Sequence, residues 1–475
     1  MPSPSAPASP KPPEEAVRLR LGLIWIISLA AAMGGLLFGY DWVVIGGAKP
    51  FFERFFALAS PAARGWANSC ALVGCLVGAM AAGFLSDRLG RRRLLILSAL
   101  IFVVTSLGNA LAPTFTVFVL WRILGGTAIG LASNLSPLYI AEIAPARLRG
   151  RLVAVNQLTI VIGILLAQFV NWWLVRGLPA GAGDAFIRSS WYGTTGWRWM
   201  FGLTAIPAAL FFFGMLGVPE SPRWLAKNGQ RERARRVLAR LGGETYAGSA
   251  LAEIETTLGG ETEKVDFRAL LDRRLRRVLV LGVVLAVFQQ WCGINVIFNY
   301  AEEIFRAAGY DISSVLANIA WTGSVNLAFT FVALGIVDRR GRRPLMLFGA
   351  AGLALIYAAM GIGYAAGLKG LPMLLLVLAA IACYAMSLAP VVWVVISEIF
   401  PNRIRGAATA VATTALWAAC FVLTFTFPLL NKGLGPAGTF GLYGLICAAG
   451  FFFIRARLPE TKGQSLEEIE KELVR

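Results

Sequence analysis

The chain has 475 residues, 57% of them hydrophobic and only 15% charged, with a mean hydropathy of +0.68. That balance excludes an ordinary soluble domain and implies a polytopic membrane protein. The net charge of +18 raises a nucleic-acid partner, but the basic residues sit in short clusters between apolar runs, as in positive-inside loops, so no nucleic acid is expected.

The N-terminal stretch MPSPSAPASPKPPEEAVRLR reads as a disordered tail over 1–20, with no cleavage pattern before the first apolar run. Twelve spans follow, at 21–47, 66–86, 94–111, 115–140, 152–175, 197–218, 278–301, 314–337, 345–367, 371–398, 406–430 and 437–456. They form an N-terminal six-helix bundle, 21–218, and a C-terminal one, 278–456. The long polar segment 219–277 contains RERARRVLARL (231–241) and ALAEIETTL (250–258), both with helical spacing, and reads as a small cytoplasmic helical linker. The tail 457–475 ends in SLEEIEKELVR, where Ser465 and Glu468 suit a helix cap. With both termini placed in the cytoplasm, 34 Lys and Arg fall inside. Nine fall outside, at Lys49, Arg54, Arg64, Arg176, Arg188, Arg198, Arg306, Lys369 and Lys432. The expectation is an all-α integral protein of a bacterial inner membrane.

The halves repeat. GFLSDRLGRRR (83–93) matches GIVDRRGRRP (335–344), AEIAPARLRG (141–150) matches SEIFPNRIRG (397–406), and PESPR (219–223) and PETKG (459–463) each follow the last span of a half. Parallel six-span repeats are the mark of a secondary transporter whose halves rock about a central site.

Polar residues inside the spans locate the chemistry. QQWCGIN (289–295) puts the amides of Gln289, Gln290 and Asn295 at membrane depth beside Gly293, where backbone irregularity is tolerated only along a cavity. Helix-to-helix hydrogen bonding is one reading of these amides; a site for a ligand rich in hydroxyl groups is the other. Asp41 and Arg122 are charges inside spans one and four, and each is the obvious partner of the other. They are either a static ion pair or a proton switch, in which Asp41 is paired when ionised and released when protonated. The six cysteines, Cys70, Cys75, Cys292, Cys383, Cys420 and Cys447, lie in apolar runs without metal-ligand spacing, and the chain has no histidine, so proton chemistry must use carboxylates. No cofactor, metal or catalytic residue is expected.

GLLFGYD (35–41), WRILGG (121–126), PLYIAEIAPARLRG (137–150), PESPRWL (219–225), QQWCGIN, VDRRGRRP, SEIFPNRIRG and PETKG, with the first basic loop, stand in one order. In this the chain resembles the sugar porter family of the major facilitator superfamily, which includes bacterial proton-coupled xylose and hexose symporters and facilitative glucose transporters. The resemblance implies a proton-coupled monosaccharide symporter in the lipid bilayer, functional as a monomer. An uncoupled sugar or polyol facilitator is the alternative, and a non-transporting sugar sensor a remoter one. It implies sugar contacts at Gln157, Gln289, Gln290, Asn295, Asn299, Asn326, Trp393 and Trp417, with proton coupling at Asp41 and Arg122. It also implies a cytoplasmic salt-bridge gate of Asp87, Arg91, Glu142, Arg149, Asp338, Arg342, Glu398 and Arg405. Three positions depart from relatives: Asn299 precedes Tyr300 in place of a tyrosine pair, Leu416 and Cys420 flank Trp417, and Ile164 replaces a glutamine. These leave the identity of the sugar open. Gly126 and Gly130 are expected to serve packing.

Overall fold

A computed structural model describes residues 19–179, 181–260, 273–400 and 405–462. The tail 1–18, the Ser465 and Glu468 cap and the side chains of Asp338 and Arg405 lie outside the described residues.

An apolar run of about 20 residues makes a helix long enough to cross the hydrocarbon layer, and most of this chain consists of such runs. The first half contains α1 (Leu21–Phe55), α2 (Pro61–Leu89), α3 (Arg91–Leu111), α4 (Phe115–Ile143) and α5 (Arg149–Val175). A short α6 (Asp184–Ser189) precedes the sixth span, in which a π-helical turn (Tyr192–Gly196) leads into α7 (Trp197–Gly202) and α8 (Ala205–Gly217). Then come α9 (Pro222–Lys227) and α10 (Arg231–Gly260), the latter broken at Gly243, where φ is 84°. Their apolar faces close on one another through Trp224, Leu225, Ala234, Leu238, Ala247 and Leu251. The residue before α1 is tied to α10, the Arg20 amide donating to the Leu241 carbonyl at 2.8 Å.

The second half contains α11 (Arg273–Trp291), α12 (Ile294–Asn299), α13 (Ala301–Ala307), α14 (Ile312–Arg340), α15 (Arg342–Ala365), α16 (Leu371–Met386), α17 (Leu388–Ile399) and α18 (Arg405–Arg457). Span seven is interrupted at Gly293, a left-handed residue with φ 85°, and span ten at Ser387. Eleven helices among the described residues are long and apolar enough to span. The last is roughly 80 Å long if continuous, far more than a bilayer needs. It is broken at Gly435 (φ 66°), followed by Pro436, and so divides into spans eleven and twelve. The all-α, twelve-span, two-half architecture is the one expected, with several boundaries moved by a few residues and that of the first span by more. The first span continues eight residues past 47, which carries Lys49 into the fold, where it is completely buried.

The turns repeat as the sequence does. α2 passes to α3 through Gly90 (φ 92°) and α14 to α15 through Gly341 (φ 90°), a geometry that strongly favours glycine. Behind each stands a glutamate on the new helix's N-terminal amides. Glu220 accepts from Arg91 and Arg92 at 3.0 Å, and Glu460 accepts from Arg342 and Arg343 at 2.9 and 3.2 Å. A carboxylate there satisfies orphan donors and opposes the helix dipole favourably.

The first half is packed through glycines. A methyl group built at Gly126 would collide with the Ala71 carbonyl, at Gly130 with that of Cys75, at Gly39 with that of Ile160 and at Gly163 with that of Leu36. Backbone therefore touches backbone along α2–α4 and α1–α5. Gly126→Ala should lower the stability of the detergent-solubilised protein by about 1–3 kcal/mol. A thermal-unfolding midpoint unchanged from the parent's would contradict this packing.

Candidate functional site

The deepest charges lie on α1 and α4. Arg122 Nη1 donates to both Asp41 oxygens, at 2.9 and 2.8 Å, and the two residues are 2% and 6% exposed. The guanidinium also lies over the Phe201 ring, 5.4 Å from its centroid. A pair in so little water is strong only while both members are charged, since an unpartnered charge there carries a large desolvation penalty. A proton on Asp41 therefore changes the energy of this region more than it would at a surface.

The next residue points elsewhere. Trp42 packs against Trp417 on α18, with centroids 6.1 Å apart, and Phe38 meets the same ring at 5.9 Å. Thus α1 presents the charged pair to its own half and aromatic rings to the other. Sequence reading missed Phe38 and Trp42, although the FGYDW order, with these two aromatics four residues apart around the aspartate, was the available signal.

The amides of QQWCGIN form a chain. Gln290 Nε2 donates to Gln289 Oε1 at 2.8 Å, Asn295 Nδ2 donates to Gln290 Oε1, and Asn295 also reaches Cys420 Sγ at 3.5 Å. The break at Gly293 makes this possible by folding Asn295 back onto the preceding turn. Trp291 Nε1 anchors the segment to the Ala419 carbonyl of α18, 3.0 Å. Each amide offers donors and an acceptor, so the chain can exchange its internal bonds for the hydroxyls of a polyol. Trp417 is buried one turn before Cys420, and its indole N–H has no hydrogen-bond partner among the described residues.

The other expected contacts are not bonded to that chain of amides among the described residues. Gln157 is half-buried on α5, Asn326 is buried on α14 and Trp393 is exposed on α17. Among the described residues no hydrogen bond joins any of the three to the amide chain. Asn299 is buried at the end of α12 and lines a small cavity with Arg122. Sequence reading also missed Gln168, 1% exposed on α5, whose Nε2 donates to Thr322 Oγ1 of α14 across the halves at 3.2 Å. Its one-turn offset from Ile164 hides it from a search for matched positions.

The two ends of the bundle differ. At the end carrying the described termini, Arg91 bridges Asp87 (3.0 Å) and Glu142 (3.1 Å), Lys227 meets Asp87 at 2.7 Å, and Arg342 meets Glu398 at 3.2 Å. Every one of these ion pairs stays within one half or joins it to α9. Arg149 is exposed and has no ion pair among the described residues. At the opposite end the halves are joined. Lys49 of α1 pairs with Glu303 of α13, lies 3.8 Å from Glu53, and stands over the Tyr300 ring, 4.2 Å from its centroid. Beside it, Arg54 meets Asp184 at 3.0 Å and holds that carboxyl below the ordinary carboxylate range.

The family model for sugar (and other) transporters matches residues 27–473. The chain belongs to that family, the sugar porters of the major facilitator superfamily. It is 39% identical to the D-xylose-proton symporter of Escherichia coli K12 over 94% of this chain and 95% of that one. It is 38% identical to the arabinose-proton symporter of Bacillus subtilis 168, over 95% of each. Among solved structures it is similar to the inward-open conformation of the xylose transporter XylE from E. coli, with a TM-score of 0.82 at 38% identity, covering 95% of this chain and 100% of that one. It is an integral membrane protein of a transporter family and not an enzyme.

Breaking the buried pair from one side separates its two energies. Arg122→Leu, which strands the Asp41 carboxylate, should destabilise the protein by about 3–5 kcal/mol, and Arg122→Leu with Asp41→Asn by much less. Equal losses of thermal stability in the single and double variants would show that the pair is not electrostatically coupled.

Proposed function

We propose that this protein is a proton-coupled symporter that carries a monosaccharide, a pentose or hexose, across a bacterial inner membrane by alternating access. The buried Asp41–Arg122 pair carries the reading: it is a titratable group at the centre of the first half, in a chain similar to named proton symporters. Gln289, Gln290 and Asn295 contact the sugar, with Gln157, Asn299, Asn326, Trp393 and Trp417 completing its surroundings as the halves close. Amides match hydroxyls, and indole faces match the C–H side of a pyranose ring.

The basic clusters orient the molecule with its termini and the helical segment 219–277 in the cytoplasm. The halves are then joined on the outside, through Lys49 and Glu303, while the described cytoplasmic ion pairs each stay on one side of the divide. This is the arrangement of an inward-facing state. Asp87, Arg91, Glu142, Arg149, Asp338, Arg342, Glu398 and Arg405 form the cytoplasmic gate by exchanging partners across the halves in the opposite state. A handful of such pairs supplies the few kcal/mol that moves a two-state equilibrium.

Two measurements test this. In proteoliposomes with an inward proton gradient, Asp41→Asn should abolish accumulation of xylose or glucose above the external concentration while leaving counterflow exchange. Accumulation by that variant would favour an uncoupled facilitator. Lys49→Met, which unbolts the outer face, should increase labelling of a cysteine placed at Phe425 by an external membrane-impermeant maleimide. Unchanged labelling would remove Lys49 from the gate.

A further inference from the structure

Three buried polar atoms without a protein partner among the described residues belong to residues that line one small cavity beside the charged pair. They are Arg122 Nε on α4, Asn68 Oδ1 on α2 and Asn299 Oδ1 on α12, on residues 2%, 5% and 3% exposed. The cavity is walled by these residues with Trp42, Ile45, Ala71, Leu72, Cys75 and Ile129, and offers about 10 Å³ to the centres of water-sized spheres. That is the room of a single water, and far too little for a sugar. The Asn68 amide is already fixed, because its Nδ2 donates to the Arg64 carbonyl at 2.9 Å.

The chemistry of the three atoms is complementary to one molecule. Arg122 Nε–H is a donor and the two asparagine oxygens are acceptors. A water can accept one hydrogen bond and donate two, which is the set presented here. Left unmet, each of these buried groups carries a desolvation cost, and such sites in polar cavities are ordinarily filled by ordered water. We infer that a single water molecule binds in this cavity, accepting from Arg122 Nε–H and donating to Asn68 Oδ1 and Asn299 Oδ1. Asn299 is then a positioning residue that ties α12 to the Asp41–Arg122 pair.

The consequence rests on the proton-coupling reading above. α12 begins at the Gly293 break and carries both Asn295 and Asn299, so a sugar that pulls on Asn295 also moves the Asn299 carbonyl. Withdrawing that acceptor frees the water, and the Arg122 cation loses the lone pair that partly solvates it. The guanidinium then presents more positive potential to Asp41 and holds the ionised pair more tightly, so that gradient-driven uptake needs a more acidic outer face. The titratable groups facing the pair are Tyr40 of α1 and Cys70 and Cys75 of α2, all of them neutral in their ordinary forms.

Two experiments test the water. In proteoliposomes, Asn68→Leu and Asn299→Leu should each shift the external pH of half-maximal gradient-driven xylose uptake toward acid by about half a unit to one unit. The double variant should shift no further than either single one, because both remove the same molecule. Additive shifts, or none, overturn the inference, whereas a merely structural loss lowers the maximal rate and leaves the midpoint in place. Independently of whether those variants fold, a map of the unsubstituted protein that resolves ordered waters should show a peak within hydrogen-bond distance of all three atoms, and a dry cavity overturns the inference. Asp41→Asn in the same vesicles separates the two readings: accumulation by that variant removes proton coupling, while the water remains judged by the map.

Discussion

A carboxylate and a guanidinium held together out of water make a bond whose strength depends on one proton. Everything else around Asp41 and Arg122 maintains that condition. Glycine contacts let α1, α2, α4 and α5 approach until little solvent remains, and the Phe201 face covers the cation. With bulk water excluded, the pair has only two inexpensive forms: both members ionised and joined, or the acid neutral and the arginine satisfied by other means. A surface pair, screened and solvated, would give no such separation of states.

The coupling of that pair to the rest of the molecule follows from helix geometry. Asp41 and Trp42 are neighbours, about 100° apart around α1, so one helix addresses both halves at the same height. Rotation of α1 relative to α18 cannot change the aromatic packing against Trp417 without disturbing the environment of the carboxylate. The broken span on the other side works similarly, because Asn295, at the end of the amide chain, and Asn299 share the short helix between Gly293 and Tyr300. Irregular backbone sits where it lines polar space, the one place a membrane protein tolerates it.

Much of this was legible in the sequence, for physical reasons. Spans announce themselves by length, and charges or amides within them must find partners, so Asp41, Arg122 and QQWCGIN could be chosen without coordinates. The two glutamates behind Gly90 and Gly341 were visible as a repeat, but their task was not, since capping joins residues more than a hundred positions apart. Lys49 was read as a loop charge because it follows the apolar run. Its burial depends on Glu303 and Tyr300 from the other half, which no local pattern reveals. Gln168 was lost in the same way: an amide near the end of a span looks like a boundary residue until Thr322 is seen opposite it. That Gln157, Asn326 and Trp393 make no hydrogen bond to the amide chain among the described residues is a property of one tertiary arrangement, which no local sequence pattern specifies.

The glycine seams have a mechanical meaning. In the first half, helices locked backbone to backbone cannot slide without breaking van der Waals contact along their length, so that half behaves as a stiff block. The second half is interrupted at Gly293 and Ser387, and its α15–α18 glycine contacts are less close, a methyl at Gly361 standing 3.0 Å from the Ala437 carbonyl and one at Gly444 3.3 Å from that of Ala354. Compliance is therefore unequally shared. In that contrast the first half is built as the anvil and the second as the spring.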